Sequence, residues 1–144
     1  MGSVTAGLTT ALGFLAAATV LGLWWRRRDG RLRPSTGPVA DLTDLGVRPG
    51  TPVTLLQFSS AFCAPCRVTS RICAEVAARF EGVEHIEVDA ESHLADVRRL
   101  DIWRTPTVLV VDRTGAVVYR ATGTPGKAQV IAAIAALLPA GAAR

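Results

Sequence analysis

Two of the three cysteines in this 144-residue chain stand three apart, in the run Ser59-Ser60-Ala61-Phe62-Cys63-Ala64-Pro65-Cys66-Arg67. Thiols at that spacing can hold a metal, close an inert disulfide or exchange disulfides. Zinc takes four ligands. The chain offers only Cys63, Cys66, Cys73, His85 and His93, with no second Cys-x-x-Cys, so no metal site is expected. The setting of the pair favours exchange. Residues 53–58 (VTLLQF) read as a buried strand, and 63–80 carry Val68, Ile72, Val76 and Phe80 at helical spacing. The cysteines therefore fall where a strand turns into a helix. Unpaired N–H groups and the helix dipole favour an anion there, so the Cys63 thiolate should form below the free-thiol pKa of about 8.5. Cys66 follows one turn later on the same face, near enough to bridge. Cys63 would attack a substrate disulfide, and Cys66 would then attack the mixed disulfide and release the product. Pro65 falls in the first turn, where its missing N–H costs little. Cys73 lies about 10 Å further along the helix, too far for a disulfide. Its place beside Val76 and Phe80 predicts a buried, unreactive thiol.

The elements that must position this pair are legible from periodicity. After the helix and Gly82, residues 83–89 (VEHIEVD) read as a strand and 91–100 (ESHLADVRRL) as a helix. Residues 106–112 and 116–121 flank Arg113-Thr114-Gly115 as a tight antiparallel hairpin. A last helix over 127–138 carries Val130, Ile131, Ile134, Leu137 and Leu138 on one stripe. The order β-α-β-α-β-β-α is an α/β fold with a mixed central sheet flanked by helices. Before it, 40–45 (ADLTDL) is long enough for one helical turn, and Pro34, Gly37 and Pro38 mark a linker over 34–40.

At these residues the chain resembles the thioredoxin family, and the resemblance covers essentially all of 40–144, with the thioredoxin-like domain over 41–144. It rests on the element order, on FCAPC at a strand–helix junction, and on Thr105-Pro106-Thr107 opening the next strand. The resemblance implies a thioredoxin-like fold and a thiol–disulfide oxidoreductase that needs no cofactor beyond its two sulfurs. By the same resemblance Pro106 is cis and faces the cysteines. Thr105 offers its backbone to the substrate chain, and Gly123 lies beside the same groove. Phe62, Ala64 and Pro65 complete the substrate-binding surface, with Phe62 and Ala64 replacing the family's usual tryptophan and glycine. Trp103 and Arg104 either line that groove or, for Trp103, pack inside. The family's buried aspartate, six residues before the first cysteine, is here Gln57, and its neighbouring lysine is His85. The usual proton acceptor for the second thiol is thus absent; His85 is either a base for Cys66 or, as the commoner case, a hydrogen-bonded histidine. Implied partners are protein disulfide substrates and an electron-donating reductase.

Residues 4–25 contain no charge and no proline, and five arginines (26, 27, 28, 31 and 33) follow directly. Twenty-two residues are enough to cross a hydrocarbon core of roughly 30 Å. A cleaved signal wants positive charge ahead of the apolar run, and a buried helix leaves the basic cluster unexplained. An anchor over 1–33, crossing the membrane through residues 4–25 with Trp24 and Trp25 at the interface, accounts for both features. Arginines beside a span resist translocation, which places the domain on the cytoplasmic side of a single-pass cell-membrane protein. The alternatives are an extracytoplasmic reductant of cell-surface or cytochrome-maturation substrates, and a non-catalytic membrane adaptor. The net charge of +4 belongs wholly to residues 1–40; the rest balances to zero, so no nucleic-acid partner is expected.

Overall fold

The structure, a computed structural model, describes residues 2–36 and 41–142. An N-terminal helix α1 (Gly2–Arg28) is followed by a short strand β1 (Arg33–Pro34) and a 3-10 turn (Thr43–Leu45). Then come β2 (Val53–Ser59), α2 (Ala64–Arg79), β3 (Val83–Asp89), α3 (Leu94–Arg99), β4 (Thr107–Asp112), β5 (Val117–Thr122) and α4 (Lys127–Ala135). The sheet runs β1-β5-β4-β2-β3, with β2 parallel to β3 and all other pairs antiparallel. The mixed sheet follows from connection length: the helix α2 carries the chain back to a parallel partner, while the 113–116 turn permits only an antiparallel one. Asp112 holds that turn, its carboxylate accepting from the Thr114 amide at 2.8 Å, the Thr114 hydroxyl at 2.6 Å and the Ala116 amide at 3.1 Å.

β2 is central and every one of its residues is buried. Its side chains alternate between two cores. Val53 and Leu55 pack with Val108 and Val110 under α2 and α4, through Cys73, Val76, Val130 and Ile134. Leu56 and Phe58 pack with Leu109 and Val111 on the other face, against Leu42, Leu45, Leu100 and Ile102. The same alternation turns Gln57 and Ser59 toward α2, beneath the cysteines.

Three expectations shift in detail. The buried face of α2 is Cys66, Thr69, Cys73 and Val76, while Val68 is half exposed. Residues four apart advance about 40° per step around a helix, so a run of four drifts off the core and its first member turns to solvent. The helix expected over 91–100 shortens to Leu94–Arg99, because the Asp89 side chain accepts from the Glu91 amide and the Ser92 hydroxyl and holds the chain in a turn. The last helix stops at Ala135, and Leu137 and Leu138 pack from the turn beyond it.

β1 straddles the boundary drawn at 33/34. Arg33 pairs with Arg120 and Pro34 with Tyr119, the Ser35 amide donates to the Val118 carbonyl at 2.9 Å, and Leu32 packs on the α2/α4 core. Gly37 and Pro38 of the expected linker lie outside the described residues. A fragment starting at residue 31 should therefore be more stable than one starting at 36, by about 2 kcal/mol from one partly buried leucine and the strand's hydrogen bonds. Urea denaturation of the two fragments checks this; equal midpoints would mean that β1 contributes nothing.

Candidate active site

The turn from β2 into α2 sets the two sulfurs. Cys63 is the N-cap of α2, in extended conformation, and its sulfur accepts from the Cys66 amide at 3.1 Å. The pair is closed as a disulfide, with Sγ–Sγ 2.04 Å and Cα–Cα 5.2 Å. In the dithiol form the same amide and the dipole of a 16-residue helix would favour a thiolate at Cys63. Cys63 is half-buried while Cys66 is 2% exposed, so Cys63 carries the more accessible of the two sulfurs. Phe62, Ala64 and Pro65 surround Cys63 and are all exposed, Phe62 completely.

Across from the cysteines the Thr105–Pro106 bond is cis. The Ser60 and Thr105 hydroxyls meet at 3.0 Å, tying the cysteine turn to this loop. The Gly123 amide donates to the Pro106 carbonyl at 2.7 Å. Gly123 has φ +96°, a left-handed conformation that favours glycine, and a Cβ there would also push against the Asp29 carboxylate at 2.8 Å. Among the described residues none shares a backbone hydrogen bond with Thr105, whose N–H and C=O stay available to an extended peptide. Trp103 does not pack inside: it is 87% exposed, with its indole N–H donating to Asp101 at 2.6 Å. Arg104 is held in an ion pair with Asp29.

The thioredoxin family model matches residues 46–136, which contain both cysteines and the cis-proline loop. The chain belongs to the thioredoxin family. It is 32% identical over 81 residues to the chloroplastic thioredoxin M3 of Oryza sativa subsp. japonica, covering 56% of this chain and 46% of that one. It is 30% identical over 80 residues to a thioredoxin of Mycolicibacterium smegmatis, covering 54% of this chain and 70% of the relative. The chain thus spans about half the length of the rice protein and somewhat more of the mycobacterial one. A solved thioredoxin pre-protein of Schistosoma mansoni superposes with TM-score 0.58 at 20% identity, over 69% of this chain and 91% of that one, a likeness of fold.

Within that family frame, the position of the buried acid is filled differently. Gln57 is fully buried, and its amide donates to the Ser59 hydroxyl at 2.8 Å and to the Cys66 carbonyl at 3.0 Å. Its own carbonyl oxygen faces His85 Nε2 at 3.1 Å, so that nitrogen carries the proton and donates. His85 is therefore a hydrogen-bonded histidine whose Nε2 cannot accept the Cys66 proton. Burial holds it below the ordinary 6.5, against an upward pull from Glu87. Sequence reasoning missed Glu87, which accepts from Ser59 at 2.6 Å and from Ser70 at 2.8 Å. The β2/β3 register, which pairs Gln57 with Glu87, brings it there, and no local sequence pattern marks it. Cys73 is fully buried, and burial with the nearby Glu87 pushes its thiol up to about 12, which leaves it inert.

Proposed function

We propose that this thioredoxin-family chain reduces protein disulfides by dithiol–disulfide exchange at Cys63 and Cys66. The observation that carries the reading is the pairing of an accessible sulfur at a helix N-terminus with a buried one behind it, opposite a free backbone edge at Thr105. The Cys63 thiolate attacks one sulfur of a substrate disulfide, forming a mixed disulfide and expelling the other substrate sulfur as a thiolate. Cys66, deprotonated, then attacks the Cys63 sulfur, closing the intramolecular disulfide and expelling the second substrate thiolate. Two electrons pass to the substrate, and an electron-donating reductase must restore the dithiol. Phe62, Ala64, Pro65, Thr105, Pro106 and Gly123 form the surface that holds the substrate chain. The test is reduction of insulin disulfides by the reduced full-length chain in detergent. No turnover above the reductant alone would instead favour an adaptor role.

α1 is long and apolar enough to cross a membrane, and its span is solvent-facing throughout. We read it as a single-pass anchor with Arg26, Arg27, Arg28, Arg31 and Arg33 holding the domain on the cytoplasmic side. A reducing role suits that compartment. Labelling of reduced Cys63 by a membrane-impermeant thiol reagent should then require broken cells. Labelling in intact cells would place the domain outside, as a reductant of extracytoplasmic substrates.

A further inference from the structure

The foot of α1 is seated on the domain. The Gly30 amide donates to the Thr122 carbonyl at 2.8 Å, a Cβ at Gly30 would run into the Thr124 carbonyl, and Asp29 pairs with Arg104. Two clefts open around this seat and share Arg28 and Arg104 as walls. The first, about 430 Å³, is walled by five guanidinium groups: Arg28, Arg31, Arg33, Arg104 and Arg120. The second, about 510 Å³, is walled by Gly22, Trp24, Trp25, Arg26 and Asp29 beside the two shared arginines.

The first cleft is short of negative charge. Asp29 is committed to Arg104. Arg120 donates to the Leu100 and Asp101 carbonyls at 2.6 and 2.9 Å, which occupies two of its N–H groups but leaves its charge unpaired. Arg28 lies over the Trp24 ring at 3.8 Å. Among the described residues no carboxylate pairs with Arg28, Arg31, Arg33 or Arg120. Guanidinium groups stay protonated at every physiological pH, so the repulsion is permanent unless an anion enters. Their planar forks suit a phosphate. The tryptophan cleft beside them suits the amphipathic end of a lipid, since an indole is apolar on its face and polar at its N–H. Arg28 stands one helical turn beyond Trp24 and Trp25, about 5 Å deeper toward the headgroups.

We propose that these paired clefts bind an anionic phospholipid, its phosphate among the five arginines and its glycerol end against Trp24 and Trp25. This rests on the reading of α1 as a membrane span. Arg104 directly precedes Thr105, so the bound headgroup would hold the cis-proline loop at the membrane surface and favour disulfides presented there. A free phosphate would use the first cleft only, and an acidic peptide would leave the tryptophan cleft unused.

The test is lipid retention by the full-length chain in uncharged micelles, read by native mass spectrometry and by tryptophan fluorescence. Phosphatidylglycerol should bind saturably and phosphatidylcholine should not. The double variant Arg31→Gln, Arg33→Gln, which leaves the cysteine site untouched, should weaken phosphatidylglycerol binding roughly 10- to 30-fold and leave insulin reduction unchanged. Equal binding of the two lipids, an undiminished affinity in the variant, equal affinity for inorganic phosphate, or tighter binding of an acidic peptide would each overturn the proposal. Alkaline carbonate extraction of wild-type membranes examines the anchor separately. Release of the chain there would refute the span, while micelle binding still decides the clefts.

Discussion

Replacing Cys63 with serine is expected to cut insulin-disulfide reduction by on the order of 10³-fold or more, because a serine hydroxyl is not ionised near neutral pH and no other accessible thiol replaces it. Cys66 is 2% exposed and Cys73 is fully buried with its thiol pushed up to about 12. The partner variant Cys66→Ser should behave differently. Its Cys63 can still attack, but nothing resolves the product, so a covalent complex with the substrate should accumulate and dissolve on adding dithiothreitol. Alkylation of the reduced wild-type chain should label Cys63 first. Cys66 labelled ahead of Cys63, or a Cys63→Ser chain that still traps substrate, would reverse the assigned roles.

The variant Gln57→Glu should invert the pH dependence of stability. In the wild-type protein burial keeps His85 below 6.5, while the unfolded chain binds a proton near that value. The unfolded state then holds more protons below pH 6.5. His85's contribution is complete above about 6.5 and lost as pH falls from there toward the folded value, with a flat profile above. The substitution puts a carboxyl at a fully buried position, 3.1 Å from His85 Nε2 at one oxygen. The atom replacing the amide nitrogen stands 3.4 Å from Glu87 Oε1. Burial and Glu87 both oppose a second negative charge, so the new carboxyl and His85 together retain one proton in the folded state. The unfolded chain has lost the carboxyl proton well below pH 6.5 and gives up the histidine proton around that pH. Stability should therefore fall above that pH by about 1.4 kcal/mol per unit. It should continue until the folded pair titrates, near 8–9 for a deeply buried glutamate, for a total of about 3 kcal/mol. Urea denaturation between pH 5 and 9 reads this directly. A variant profile as flat as wild type above pH 6.5 would mean that water reaches the site and that the Gln57 network is not closed.

Much of this protein was legible from local pattern alone. The strand–helix junction around Cys63 and Cys66, the order of elements and the apolar span all depend on residues within about one element of each other, where periodicity and capping act. Even the departure at Gln57 was visible by its spacing from Cys63. What packs where was not. The face of α2 that turns inward, the short strand Arg33–Pro34 beside β5, the hydrogen bond of Glu87 to Ser59 and the seat of Asp29 on Arg104 join positions far apart in the chain. No local signal carries them. Charge shows the difference most plainly. Residues 41–144 balance to zero by count, yet Arg104 and Arg120 of that neutral part come together with Arg28, Arg31 and Arg33 in one cleft. A sum along the chain averages over the whole surface, whereas electrostatic energy depends on distance in space, and only the tertiary fold sets those distances.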